Sequence, residues 1–404
     1  MKIAFVIPRF EPQLAGGAEV HCQRLAEKVA AGGYQVEVLT TCARDHFSWK
    51  NYYEPGNKMV NGVMVRRFLA DPNRVTPRFL MIQRKIGYKM AITPREELWW
   101  IEDSIRSRRM EDFISRSKAR YDWFIFMPYL FGTTYWGIKA TPPGKSLLIP
   151  CLHDEPIAYL RIFREMFRRV RGIMFNTYPE IDLARRLYNP EEERISMVSL
   201  GFESEGDYGR EVFRKKYGIR DPFILFAGRR EGGKNIDLLI NYYRLYKKHH
   251  SNPVKLVLLG SGEVNLSGSD KDNIIDLGYI PAQYKKSAFA AASFFCQPSV
   301  NESLSIVTME SWIAGRPVLV NAGCSVTRDH CRRSNGGLWF GDYPEFEECV
   351  DFFLTHSETA DQMGNKGRDY VRSNYSWDAV MDRFKKSLLK FGASAAPLSP
   401  GGKL

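Results

Sequence analysis

Residues 297 to 319 read QPSVNESLSIVTMESWIAGRPVL and place two glutamates, Glu302 and Glu310, eight positions apart. Eight residues of α-helix advance about 12 Å and leave the two side chains roughly 80° apart, so one helix holding both would not aim them at one point. The turn and cap formers Pro298, Ser299, Asn301 and Ser303 predict a loop that carries Glu302, and Leu304 through Ala314 reads as the helix, ended by Gly315 and Pro317. On that helix Glu310 shares a face with Ile306 and Ile313, residues that ordinarily turn toward a core. A carboxylate on such a face needs donors. Two readings fit: the hydroxyl groups of a sugar, or an ion pair with a neighbouring Arg or Lys.

Three further stretches combine reactive residue types with strand ends. In AGRREGGKN, Arg229 and Lys234 flank a glycine-rich turn after an apolar strand, which suits a diphosphate clamp and equally a solvated basic turn. CLHDEP puts His153 and Asp154 after the strand SLLIP, where the histidine is either structural or part of a site at the carboxyl edge of a sheet. Gly16 and Gly17 lie between the first strand and a helix, so their amides could receive an anion; the pair is not GxGxxG, and this argues against a dinucleotide oxidoreductase.

The elements that would position these residues alternate. KIAFVI, an amphipathic helix VHCQRLAEKVAAGG and YQVEVLTT form a βαβ unit, and DWFIFM, SLLIP and GIMFN continue a parallel sheet to about residue 200. SLGFESEGDYG interrupts the pattern and reads as a linker. Strand and helix then alternate again through FILFAG, KNIDLLINYYRLYKKHH, VKLVLLG, AFAAASFFCQPS and PVLVN. The predicted fold is α/β, with two doubly wound Rossmann-like domains facing across a cleft, spanning residues 1–203 and 207–375, followed by a disordered tail over 392–404.

Taken together, GGAE, HDEP, GRREGGKN and NESLSIVTMESWIAGRPVL resemble the retaining glycosyltransferases of family 4, whose fold is GT-B and whose signature is the E-x7-E spacing. The resemblance extends to about Phe391. It implies that Glu310 binds the ribose of a nucleotide-diphosphate-sugar donor and that Glu302 lies near hydroxyls of the transferred sugar. Arg229 and Lys234 hold the diphosphate, His153 sits near the donor sugar, and Gly16 and Gly17 close beside the phosphates and the acceptor. It also implies that a last helix, 376–391, completes the N-terminal domain. Family members often have glycines around an apolar residue directly after the first glutamate, where this chain has Ser303, Leu304 and Ser305; the amides from Ser303 to Ile306 would still face phosphate. The expected reaction is transfer to a saccharide or lipid-linked saccharide acceptor in cell-surface polysaccharide or glycoconjugate synthesis. With two cations in place of a divalent ion, it is expected to need no metal and no cofactor. A GT-B epimerase, a glycogen-type synthase and a non-catalytic sugar-nucleotide binding protein are the alternatives.

Composition is that of a globular protein rather than a disordered or fibrous one: 404 residues, 44% hydrophobic and 26% charged, without an apolar run long enough to span a bilayer. KIAFVIP is too short for a signal sequence, and seven scattered cysteines form no disulfide framework, so a reduced, cytoplasmic setting is expected. The net charge of +12 suits acidic partners, and no nucleic-acid motif accompanies it. Residues 66–120, with RFLMIQRKIGYKM and ELWW, and the basic amphipathic segment YLRIFREMFRRVRG either form a solvated surface or dock on an anionic membrane.

Overall fold

The computed structural model describes residues 1–11, 16–72, 75–203, 208–230 and 232–393. They divide into two compact units, Met1–Gly201 with the segment from Trp377 onward, and Phe202–Ser376. The division falls near the predicted linker, between Gly201 and Phe202, and again between Ser376 and Trp377; residues 204–207 of the linker lie outside the described residues.

The first unit runs β1 (Lys2–Val6), α1 (Gly17–Ala31), β2 (Gln35–Thr41), β3 (Gly56–Val60), β4 (Val63–Phe68), α2 (Pro77–Gly87), α3 (Pro94–Asp103), α4 (Arg108–Ser117) and β5 (Trp123–Phe126). It continues with α5 (Gly132–Ala140), β6 (Ser146–Leu148), α6 (Arg161–Arg169), β7 (Gly172–Phe175), α7 (Tyr178–Tyr188) and β8 (Ile195–Met197). Its strands order as β3-β4-β2-β1-β5-β6-β7-β8, all parallel except β3. Helices bury the central strands on both faces, which is why these strands are nearly continuous apolar runs. The β3–β4 hairpin turns at Asn61 and Gly62, both at positive φ, as the Asn-Gly pair requires for a tight turn that matches strand twist.

The second unit comprises α8 (Arg210–Tyr217), β9 (Phe223–Ala227), α9 (Ile236–His249), β10 (Lys255–Leu259), β11 (Ile274–Gly278), α10 (Ala282–Ala291) and β12 (Phe294–Gln297). After these come α11 (Ile306–Ile313), β13 (Val318–Asn321), α12 (Ser325–Ser334), β14 (Gly337–Phe340), α13 (Tyr343–Thr355) and α14 (Ser357–Tyr375). The parallel sheet orders β11-β10-β9-β12-β13-β14. Both sheets are therefore doubly wound, with the strand order reversing at β1/β5 in the first and at β9/β12 in the second. Ligands of such sheets bind outside the carboxyl ends at the reversal.

α15 (Trp377–Ala393) lies against the first unit: Arg171 donates to the Phe391 carbonyl at 3.0 Å and Lys390 to that of Ile195 at 2.7 Å. Gly392 and Ala393 are helical, which corrects the tail expected from residue 392; residues 394–404 lie outside the described residues. α11 starts at Ile306 rather than Leu304, because Ser305 adopts a left-handed φ of 64°. For the basic segment around α6 the structure decides between the two readings. Its apolar face, Ile162, Phe163, Met166 and Phe167, is buried in the core of its own unit and so is not available to a membrane. Among the described residues no helix is long and apolar enough to cross a bilayer, and all seven cysteines are free thiols.

Candidate active site

The reversal at β9/β12 brings the loop after β9 beside the loop after β12. Lys234 donates to Glu302 Oε1 at 2.6 Å, and Asn235, in the left-handed region at φ 54°, donates to the Pro298 carbonyl at 3.3 Å. Gln297, the last residue of β12, donates to the same Glu302 oxygen at 2.7 Å. Glu302 thus has two side-chain donors at its carboxylate and only 9% side-chain exposure, whereas Lys234 keeps 27%. The opposite amide oxygen of Gln297 and the hydroxyl of Ser299 are buried without a protein partner, so the floor of this edge still has acceptor capacity to spend on water or ligand hydroxyls.

Directly beyond Glu302, Ser303 leads into the helix mouth, Leu304 is buried, and Ser305 takes the left-handed turn that opens α11. The hydroxyl of Ser305 shares a hydrogen bond with Thr308 Oγ1 at 2.9 Å and accepts from Gln297 at 3.4 Å, which helps to hold a conformation that glycine adopts without strain. The helix N-terminus at Ile306 therefore lies beside the Lys234–Glu302 pair. One turn further, Glu310 pairs with Lys285 of α10 at 2.6 Å, the ion-pair reading of that residue. Burial, and next the Glu310 carboxylate, push the Tyr208 hydroxyl up from its ordinary range.

Arg229 follows β9 and is half-buried. Its neighbour Arg230, which the sequence did not separate from it, is committed to structure: it forms a two-pronged pair with Asp276 and donates to the Gly262 carbonyl at 3.1 Å. That contact ties the loop after β9 to the Gly260–Gly262 turn after β10. Gly260, at φ 124°, is required there, since a Cβ would stand 1.9 Å from the Gly228 carbonyl oxygen.

His153, Gly16 and Gly17 belong to the first unit. The loop after β6 is heavily pinned: Leu152 N donates to Glu180 at 2.6 Å, Tyr129 to Glu155 at 3.0 Å and Tyr159 to Asp154 at 2.8 Å. Glu180 also accepts from Asn176 N at 2.6 Å, and burial pushes its carboxyl up to about 8 despite these amide donors. His153 itself remains about one-third exposed, with Nδ1 3.9 Å from Glu155. Gly17 opens α1, and a Cβ added there would meet nothing within 4 Å. Residues 9 to 11, after β1, are held by two arginines that sequence reasoning missed. Arg9 pairs with Glu19 and donates to the Arg44 carbonyl at 3.1 Å, and Arg67 donates to the Phe10 carbonyl at 3.1 Å and to Glu11 at 2.8 Å. Among the described residues no group of three or more His, Cys, Asp or Glu side chains is placed to hold a metal ion.

Comparison with known proteins places this edge within a matched span. Residues 209–370 match the glycosyl transferases group 1 family, a span containing Arg229, Lys234, Glu302 and Glu310. An uncharacterized glycosyltransferase of Methanocaldococcus jannaschii is 26% identical, over 94% of this chain and 96% of that protein. Among solved structures, sucrose-phosphate synthase from Thermosynechococcus elongatus superimposes with a TM-score of 0.73 at 16% identity, covering 98% of this chain and all of that one. HepE of Anabaena, solved with UDP and glucose, gives a TM-score of 0.69 at 14% identity over 96% of this chain and 99% of its own. The fold is that of the GT-B glycosyltransferases, and the second unit carries the span that matches the glycosyl transferases group 1 model.

Proposed function

We propose that the protein transfers a sugar, with retention of anomeric configuration, from a nucleoside-diphosphate sugar to a saccharide or lipid-linked saccharide in the synthesis of cell-surface glycans. The observation that supports this most directly is the meeting of Lys234, Glu302, Gln297 and the α11 N-terminus at one sheet reversal. In the reaction the bond from the anomeric carbon to the diphosphate breaks and an acceptor hydroxyl oxygen bonds to that carbon from the same face. The acceptor proton passes to the departing phosphate. Charge grows on the diphosphate as it leaves, and fixed donors aimed at that charge lower the barrier. Lys234 and Arg229 supply the cations, and the amides from Ser303 through Leu304 and Ser305 to Ile306 add the helix terminus.

Lys234 cannot hold the diphosphate and Glu302 with equal strength. In this reading the donor draws Lys234 toward phosphate, and Glu302 exchanges that partner for hydroxyls of the sugar while Gln297 keeps its orientation. Glu310 likewise exchanges Lys285 for the ribose hydroxyls. His153 serves the donor sugar, and the turn at Gly16 and Gly17 admits phosphate and acceptor. The cations stand where a divalent ion would otherwise neutralise the leaving group, so no metal is required. The test is turnover of a panel of nucleotide sugars with and without EDTA. Release of nucleoside diphosphate with formation of an α- or β-linked product of unchanged anomeric configuration is the expected result. Activity lost in EDTA and restored by magnesium or manganese would overturn the metal-free account, and interconversion of donor sugars without transfer would replace it with an epimerase.

A further inference from the structure

From Val75 to Arg95 the chain has five cations, Arg78, Arg84, Lys85, Lys89 and Arg95, and no Asp or Glu. α2 and the turn after it occupy most of this span, and α2 is apolar on two opposite sides. At about 100° per residue, Phe79, Ile82, Gln83 and Ile86 fall on one side of the helix and Leu80, Met81, Arg84 and Tyr88 on the other. The first side is fixed to the unit: Ile82 and Ile86 are buried, Phe79 stacks on Trp100 at 5.7 Å between centroids, and Gln83 accepts from the Trp100 indole at 2.7 Å. The second side is open. Leu80 is 47% exposed, Met81 49%, Tyr88 79% and Met90 56%, and they border a cavity of about 440 Å³ together with Arg84 and Lys85.

A soluble surface gains nothing from large apolar side chains held outward on a rigid helix, and contiguous apolar exposure marks an interaction site. The charges around this one specify the partner. Arg78 is engaged with Asp103 and Lys85 with Glu96, whereas Arg84 and Lys89 are exposed and enter no ion pair among the described residues. Apolar and aromatic side chains between uncompensated Lys and Arg match the interface of an anionic bilayer, where hydrocarbon ends enter the acyl boundary and cations meet lipid phosphates. We propose that α2 and the turn through Met90 dock this protein on an anionic membrane surface, and that helices α4 and α6, with three and four arginines, do not. α4 turns Met110 and Ile114 into the core and α6 turns Ile162, Phe163, Met166 and Phe167 there, so both are left with charge alone on the outside. The proposal goes beyond sugar transfer and is measured without any donor, so either reading can fail while the other stands.

The full chain should co-sediment with vesicles of phosphatidylcholine and phosphatidylglycerol at low salt, release as salt rises, and stay in solution with phosphatidylcholine alone. Each of Arg84→Gln and Lys89→Gln should weaken partition about fivefold, the equivalent of about 1 kcal/mol per charge near the surface. Leu80→Gln with Met81→Gln should abolish the salt-resistant part, with melting temperature retained because neither side chain is in the core. Arg161→Gln with Arg168→Gln on α6 should change little. Equal recovery with neutral and anionic vesicles, or a greater loss from the α6 pair than from the α2 pair, overturns the proposal. So does binding to a soluble polyanion that falls with the α2 charges while Leu80→Gln with Met81→Gln leaves vesicle binding intact, since that outcome describes a nucleic-acid or polyphosphate surface.

Discussion

At the carboxyl edge of the second sheet, charged side chains pair with one another: Lys234 with Glu302 and Lys285 with Glu310, each at 2.6 Å. At the edge of the first sheet Arg9 and Arg67 also pair with Glu19 and Glu11, but backbone groups take a large part. Glu180 accepts from two main-chain amides, Arg9 and Arg67 each donate to a carbonyl, and Thr41 donates to the Pro8 carbonyl at 2.6 Å. Backbone pairing fixes where a loop goes, and breaking it leaves a buried main-chain group unsatisfied. Pairing between side chains leaves the loop where it is and allows the partners to be exchanged. On the proposed reading the first edge holds His153 with backbone bonds around it, and the second offers charges whose partners a donor would exchange. The lysines of the two pairs keep 27% and 34% side-chain exposure, which lowers the cost of exchanging their partners.

The sharpest way to break this comparison is to remove the two lysines separately. Lys234 is assigned to a leaving group whose charge increases in the transition state, so Lys234→Ala should lower kcat about a hundredfold, or about 3 kcal/mol, by analogy with loss of one oxyanion donor. Lys285→Ala frees Glu310 without touching that charge. It should leave kcat near the starting value and change nucleoside-diphosphate affinity by less than about tenfold, because the ribose is held equally in the ground and transition states. Steady-state kinetics and calorimetry on the same preparations measure both. Near-normal kcat for Lys234→Ala at saturating donor refutes its role, and equal kcat losses for the two lysines would erase the distinction between the glutamates.

The first edge is tested through Glu180, where the expected effect is on stability. Its folded pKa, about 8, lies above that of an unfolded glutamate, because burial disfavours the charge more than the main-chain donors of Asn176, Leu152 and Thr177 favour it. The folded chain then holds the proton more tightly, and stability falls as pH rises from the ordinary carboxylate range through about 8. Glu180→Gln removes the titration and also turns an amide donor toward one of these main-chain N–H groups, costing about 1–3 kcal/mol at acidic pH. Melting curves across this range should show a slope in the parent that is flattened in the variant. A parent whose stability rises with pH over the same window would mean that the carboxylate is charged throughout, with the amides outweighing burial.

The legible and illegible parts of the site divide along the same line. Turn formers before Leu304 and the eight-residue spacing placed Glu302 in a loop and Glu310 on a helix, because both signals are local in sequence. Two strands ending in AG and PS, each followed by a helix, also gave the doubly wound sheet. What pairs with what was not local. Lys285 is on another helix, 25 residues before Glu310, and nothing in AQYKKSAFAA distinguishes it from Lys286. Arg229 and Arg230 are equivalent as letters, and only the neighbouring Asp276 and Gly262 separate them. Two missed features did have signals: Gln297 as the polar end of the buried strand FFCQ, and Asn61-Gly62 as a hairpin turn. For α6, strong amphipathic periodicity identified the helix and left its environment open between solvent and membrane, since periodicity states that one face is apolar and not what covers it.

The smallest effect is expected at Ser305, where the second edge does rely on backbone. A non-glycine residue in the left-handed region costs about 1–2 kcal/mol, which Ser305→Gly would relieve. The same substitution adds about 0.5–1 kcal/mol of chain entropy to be lost on folding and removes the hydroxyl that meets Thr308 and Gln297, a bond of about 1 kcal/mol. These nearly cancel, so Ser305→Gly should melt within a few degrees of the parent and keep its nucleotide affinity. Ser305→Ala retains the strained φ and loses the bond, and should be destabilised by about 1 kcal/mol. The pair of melting temperatures separates the two contributions. If glycine stabilises the chain markedly while alanine is neutral, the hydroxyl contributes little and the turn stores strain at the mouth of α11, so this edge too would be held by its backbone rather than by exchangeable side chains.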